Sequence, residues 1–85
     1  DLLLKIGEPE AAIYNFEQAI EFYPENAEIE YRLAGLYFML NNSDKGTFHL
    51  KNGIKFNPDY SFIIDELFPK VYNKQQVKNL LKIKP

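Results

Sequence analysis

Apolar residues recur at helical spacing in the first third of the chain. The set is Ala12, Phe16, Ala19 and Ile20. These positions lie on one face of a helix, whereas the glutamates of this stretch lie mostly on other faces. Pro9 suits the first turn of a helix, and Pro24 opposes its continuation because the residue before a proline resists the helical region. We therefore predict an amphipathic helix between these two prolines.

A second apolar stripe follows, formed by Ile29, Leu33, Leu36, Tyr37 and Leu40. Asn26 precedes it as an N-cap residue, and Glu28 and Glu30 fall in the first turn, where the helix dipole favours negative charge. The stretch "NNSD", residues 41–44, has the composition of a turn. This pattern predicts a second helix that turns at 41–44 into a third.

The segments 11–26 and 45–60 repeat one another at an offset of 34 residues. Six pairs of small, apolar or proline residues match: Ala12 with Gly46, Phe16 with Leu50, Ala19 with Gly53, Ile20 with Ile54, Phe22 with Phe56 and Pro24 with Pro58. A constant offset of this length indicates that the same helical hairpin occurs twice.

This period and its signature residues resemble the tetratricopeptide repeat, with its pattern W-x2-L-G-x2-Y, A-x3-F and P. The central copy reads Glu30-x2-Leu33-Ala34-x2-Tyr37, then Gly46-x3-Leu50, then Pro58. Glu30 departs from the pattern, because the family often has an aromatic residue there, and we interpret that position as permissive. The resemblance covers about residues 1–60.

The resemblance implies an all-α fold, a right-handed superhelical stack of antiparallel helix-turn-helix repeats. Residues 1–26 are then the last part of one repeat, 27–60 a complete repeat, and 61–85 a short helix with a capping helix. The first helix of a repeat lies between two second helices, which explains the uncharged stretch "LAGLYFML" at 33–40. Small residues are expected where helices cross closely, namely Ala12, Ala19, Ala34, Gly46 and Gly53.

The tail departs from the repeat. Phe68-Pro69 must end or kink a helix that begins near residue 61. Asn73-x-x-Gln76 resembles a capping box that opens a last helix. Val77, Leu80 and Leu81 are expected to face inward and the lysines outward, as in the terminal unit of a solenoid.

The amino end shows no comparable cap. Its apolar residues are Leu2, Leu3, Leu4 and Ile6. Burying each would stabilise the chain by roughly 1.5 to 3 kcal/mol. We therefore expect a fragment of a longer array, or a homo-oligomer that buries this edge against a second copy.

Composition fits one small domain of 85 residues with 46% apolar residues. The absence of cysteine excludes disulfides and thiolate metal sites. No apolar run reaches the roughly 18 residues of a membrane-spanning helix, so we expect a soluble protein without a membrane partner, cytoplasmic by default. The net charge of −2 combines an acidic amino end with a lysine-rich tail.

No motif for catalysis, phosphate binding or metal binding occurs. His49 has no acidic or cysteine neighbour at ligand spacing and falls on the polar side of its helix, so we expect it to face solvent. The glutamates at 17, 21, 25 and 28 lack the loop geometry of a calcium site. We expect no enzyme activity, no cofactor and no metal.

The resemblance implies a concave groove lined by first helices that holds a peptide or a partner helix. The matching positions are Glu28, Tyr31, Gly35, Phe38 and Met39. They lack the Lys, Arg and Asn residues with which some family members bind a C-terminal carboxylate, so that mode is not expected. The alternative is that Phe38 and Met39 pack on the tail or on a neighbouring repeat.

The main hypothesis is therefore a protein-protein interaction scaffold, with self-association through the amino edge as the alternative. Binding of nucleic acid or an anionic surface by Lys70, Lys74, Lys78 and Lys82 is less favoured, because the chain is acidic overall and the tail has no arginine. No nucleic-acid partner is expected. The identity of the partner, the number of repeats, the oligomeric state and the occupant of the groove stay open.

Overall fold

The computed structural model describes residues 9–82, and this part of the chain is built from helices without any strand. The long helices are α1 (Pro9–Phe22), α2 (Ala27–Met39) and α3 (Ser43–Phe56). A 3-10 helix (Pro58–Ser61) then leads into the short helices α4 (Phe62–Leu67), α5 (Pro69–Tyr72) and α6 (Gln75–Lys82). The predicted edge of Leu2, Leu3, Leu4 and Ile6 lies outside the described residues.

Asparagine side chains cap three of the helix starts, those of α2, α3 and, through Asn57, the 3-10 helix. The Oδ1 of Asn26 accepts a hydrogen bond from the backbone N–H of Ile29 at 3.1 Å, which confirms the predicted N-cap of α2. Asn42 caps α3 in the same way through the N–H of Lys45. The predicted turn at 41–44 is shorter than expected, because Ser43 already belongs to α3.

Helix α2 is the centre of the core. It packs against α1 on one side and against α3, the 3-10 helix, α4 and α5 elsewhere. Leu33, Ala34 and Leu36 are almost completely buried. The uncharged stretch is therefore covered from several directions, as the repeat architecture requires.

The antiparallel helices α2 and α3 meet through aromatic rings that lie on glycines. A Cβ atom at Gly46 would stand 2.8 Å from the ring of Phe38, and one at Gly53 would stand 3.1 Å from the ring of Tyr31. Tyr31 is 0% exposed and Phe38 1%. Both glycines were predicted at a close helix crossing, and the structure confirms this.

Tyr31 is also anchored at its polar end. Its hydroxyl donates a hydrogen bond to the backbone carbonyl of Asn57 at 3.0 Å. Burial, with a smaller contribution from the charge of Asp59, raises the pKa of Tyr31 to about 12. The ring thus fixes the α2–α3 crossing and holds the start of the 3-10 helix.

The tail turns back onto α2 after its helix is interrupted. Helix α4 ends at Leu67, and Pro69 begins α5, as the Phe68-Pro69 pair predicts. The buried ring of Phe68 lies on Gly35, where an added Cβ would overlap it. Gly35 therefore leaves room for the chain's own tail and not for a partner backbone.

Helix α6 completes the tail, and it begins two residues after Asn73, the residue predicted to cap it. The predicted capping box does not form, because α6 begins at Gln75 and the Nε2 of Gln76 donates to Oγ of Ser43 at 3.3 Å. Val77 is fully buried, and Leu80 and Leu81 pack partly against the core. None of the helices in residues 9–82 combines the length and the apolar content needed to cross a bilayer.

The ring-on-glycine crossing predicts that Gly46→Ala destabilises the fold. The better helix propensity of Ala contributes about 1 kcal/mol, whereas forcing a methyl group into a packed core costs roughly 1 to 3 kcal/mol. We expect a net loss in the free energy of unfolding, measured by urea denaturation, and a smaller loss for Gly53→Ala. Lys51→Ala, an exposed change on the same helix, is the control and should stay within about 0.5 kcal/mol of wild type. A Gly46→Ala variant more stable than wild type would contradict this packing.

Candidate functional site

A groove of about 330 Å³ lies between α2 and α4. Its lining residues are Glu28, Arg32, Tyr60, Phe62, Ile63, Glu66 and Leu67. They come from one face of α2, from the end of the 3-10 helix and from α4.

The α2 wall of the groove is charged at one end. Glu28 and Arg32 are one helical turn apart and form an ion pair at 3.2 Å. Two further positions on this face are Gly35, which Phe68 covers, and Met39, which is exposed. Met39 borders a second depression of about 210 Å³, whose other lining residues are Leu67, Phe68, Pro69, Lys70 and Val71. Because Leu67 borders both depressions, they form one interrupted surface.

The opposite wall carries two exposed aromatic rings. Phe62 is 48% exposed, and its ring centroid lies 6.0 Å from that of Tyr60. The 3-10 helix leads directly into α4, so these rings stand close together beside the carboxylate of Glu66. The groove thus combines aromatic surface with two carboxylates and one guanidinium, an excess of negative charge.

The structure corrects the predicted set of groove residues. Tyr31, Gly35 and Phe38 are buried and do not reach the groove surface. Tyr31 and Phe38 lie one position away from the groove face, and their rings point at α3. Helix α2 has apolar residues on several sides, so helical spacing alone does not show which of them face the groove. Glu28 and Met39 are exposed, and binding by these two residues stays a prediction.

The sequence contained a signal for the groove residues that were missed. Phe62 and Glu66 stand 34 residues after Glu28 and Arg32. Applying the repeat offset to the exposed face of α2 would therefore have identified the facing positions on α4. Tyr60 would then have followed as a neighbour of Phe62.

His49 is not solvent-facing, which corrects the prediction made for it. The side chain is buried, and its Nδ1 donates to Oε1 of Glu30 at 2.7 Å. Its Nε2 lies 3.9 Å from Oε2 of Glu17. Glu30 is itself only 4% exposed, so this position is not permissive in this chain. In this chain, the carboxylate at position 30 is the hydrogen-bond partner of a buried histidine.

Tyr37 extends this polar cluster. Its ring stacks on the His49 imidazole at 5.5 Å, and its hydroxyl donates to Oε2 of Glu17 at 2.6 Å. Burial, followed by that hydrogen bond, raises the pKa of Tyr37 to about 12. The cluster joins α1, α2 and α3. In the described part of the chain, no group of three or more His, Cys, Asp or Glu side chains is arranged to hold a metal ion.

Two comparisons with known proteins yield matches. A family model described as "Tetratricopeptide repeat" matches residues 3–61, more than half of the chain. "Protein CTR9 homolog" of Arabidopsis thaliana is 34% identical over 55 residues, which cover 65% of this chain and 5% of that protein. The matched segment thus spans about one twentieth of the length of this curated relative. No solved structure matches the chain significantly.

The buried pair predicts that Glu30→Ala destabilises the fold by about 1 to 3 kcal/mol, because the Nδ1 of His49 loses its buried acceptor. Glu30→Gln keeps an acceptor oxygen and should cost less. Urea denaturation followed by circular dichroism measures both, with the exposed change Glu21→Ala as control. A Glu30→Ala variant as stable as Glu21→Ala would show that the pair does not stabilise the hairpin.

Proposed function

The chain belongs to the tetratricopeptide repeat family, and from this premise we propose that it binds a peptide or helix of a partner protein in the groove between α2 and α4. Repeats of this family generally mediate protein-protein interaction. We propose further that the chain has no catalytic activity of its own. The observation that carries the proposal is the pair of exposed rings beside an open groove that the chain's own tail leaves uncovered.

The shape of the surface supports a partner with two anchoring side chains. Leu67 separates the depression at Tyr60 and Phe62 from the depression at Met39. Short apolar anchors on one face of a peptide or helix match such a divided surface. Aromatic and methionine side chains are also enriched in protein interfaces, because they present large adaptable contact areas.

The charge of the groove supports a cationic residue in the partner. Arg32 is already paired with Glu28, which leaves Glu66 without a cation among the described residues. A lysine or arginine of the partner that reaches Glu66 also passes the rings of Tyr60 and Phe62, where a cation is attracted by the aromatic faces. We therefore propose a partner segment with apolar anchors and at least one basic side chain.

Site-specific photo-crosslinking tests the location of the partner. A photoreactive phenylalanine analogue is placed in the chain at Phe62 in the groove, or at Phe48, which is 60% exposed on α3. We expect one protein to crosslink strongly from position 62 and weakly from position 48. Equal crosslinking from both positions, or crosslinking from 48 alone, would contradict groove binding.

Charge reversal then tests the chemistry with the captured partner. Glu66→Arg should weaken binding roughly tenfold, equivalent to about 1.4 kcal/mol. Asp65→Arg, an exposed change on the same helix that does not line the groove, should have little effect. Circular dichroism checks that both variants keep their helix content. Equal weakening by both variants would contradict a direct contact of the partner with Glu66, because it would show that only the net charge of the chain affects binding.

A further inference from the structure

A second cleft, separate from the groove, lies between the end of the 3-10 helix and the tail helices α5 and α6. Its volume is about 480 Å³, and its lining residues are Ser61, Tyr72, Lys78, Leu81 and Lys82. They come from the end of the 3-10 helix, from α5 and from α6. The position follows from the fold of the tail, because the turn at Phe68-Pro69 brings α5 and α6 back beside Ser61.

Every polar side chain that lines this cleft can donate a hydrogen bond. Two are ammonium groups and two are hydroxyl groups, and no carboxylate lines the cleft. The ion pairs among residues 9–82 use Arg32 and His49 as their cationic partners, so neither lysine is paired with a carboxylate there. The side chain of Ser61 does not cap α4 either. Such a set of four donors without a carboxylate matches an oxyanion.

The two lysines stand one helical turn apart, an arrangement that is mildly unfavourable without a counterion. Like charges at this spacing destabilise a helix by a few tenths of a kcal/mol. Lys78 is partly buried along the cleft, so its ammonium group is less free to move away than that of a fully exposed lysine. An anion with two negative charges offsets this repulsion better than a single carboxylate.

We propose that this cleft binds the phosphoryl group of a phosphorylated peptide. Lys78 and Lys82 supply the opposing charge, and the hydroxyls of Ser61 and Tyr72 donate to phosphoryl oxygens. Leu81 contacts an apolar neighbour of the phosphorylated residue. A peptide suits the concave shape and its apolar residue better than a membrane surface or a nucleic-acid backbone, which a broad cationic face would bind.

A titration of the ¹⁵N-labelled chain with short peptides tests the proposal. The probes are a phosphoserine peptide flanked by leucines, its unphosphorylated form and its glutamate form. We expect amide shifts at Ser61, Tyr72 and the end of α6 with the phosphopeptide, weaker ones with the glutamate form, and none with the unphosphorylated form. Equal shifts from all three peptides, or shifts spread over the whole chain, would overturn the proposal.

A matched pair of variants separates the cleft from general charge. Lys78→Gln with Lys82→Gln should reduce phosphopeptide affinity roughly tenfold. Lys51→Gln with Lys55→Gln removes an exposed lysine pair of the same spacing from α3 and should change it less than about twofold. Equal losses in the two double variants would overturn the assignment. So would tighter binding to an anionic vesicle or a single-stranded oligonucleotide than to the phosphopeptide.

Discussion

The packing of aromatic rings directly on glycine backbone is the interaction on which this structure depends. Tyr31 on Gly53 and Phe38 on Gly46 set the distance between α2 and α3 and also the rotation of α2 about its axis. Once these two rings face α3, Glu28 and Arg32 lie on the adjacent face of α2, which lines the groove. Phe68 on Gly35 repeats the same device and holds the tail against α2. Both walls of the candidate groove are therefore consequences of where glycines allow rings to lie.

The polar cluster around His49 complements this apolar crossing. It joins α1 to the α2–α3 hairpin through the carboxylates of Glu17 and Glu30, and no buried side-chain nitrogen or oxygen among the described residues lacks a hydrogen-bond partner. A buried network in which every polar group is hydrogen-bonded tolerates little change in geometry, because an unpaired polar group in the core lowers the free energy of unfolding. The apolar crossing thus sets the spacing of the helices, and the polar cluster restricts how neighbouring helices align.

Sequence reasoning recovered the architecture more completely than the surface. The 34-residue offset and the small residues at Gly46 and Gly53 were sufficient for the repeat, the helices and their crossing. The burial of His49 was missed because its partner Glu30 lies 19 residues away across the hairpin, beyond the reach of local spacing. Tyr31 and Phe38 were wrongly predicted to line the groove, because the spacing of apolar residues in a helix that is apolar on several sides does not show which side faces the groove. The positions on α4 that face α2 could have been predicted from the repeat offset. The packing of Phe68 on Gly35 could not, because the local spacing of apolar residues does not indicate it.

A double-mutant cycle between Phe38 and Gly46 tests the ring-on-glycine interaction most directly. The free energy of unfolding is measured by urea denaturation for wild type, Gly46→Ala, Phe38→Leu and the double variant. Because leucine removes the ring that an alanine methyl at 46 would meet, the cost of Gly46→Ala should fall by about 1 kcal/mol or more in the Phe38→Leu background. Additivity of the two single changes within roughly 0.3 to 0.5 kcal/mol would contradict the account.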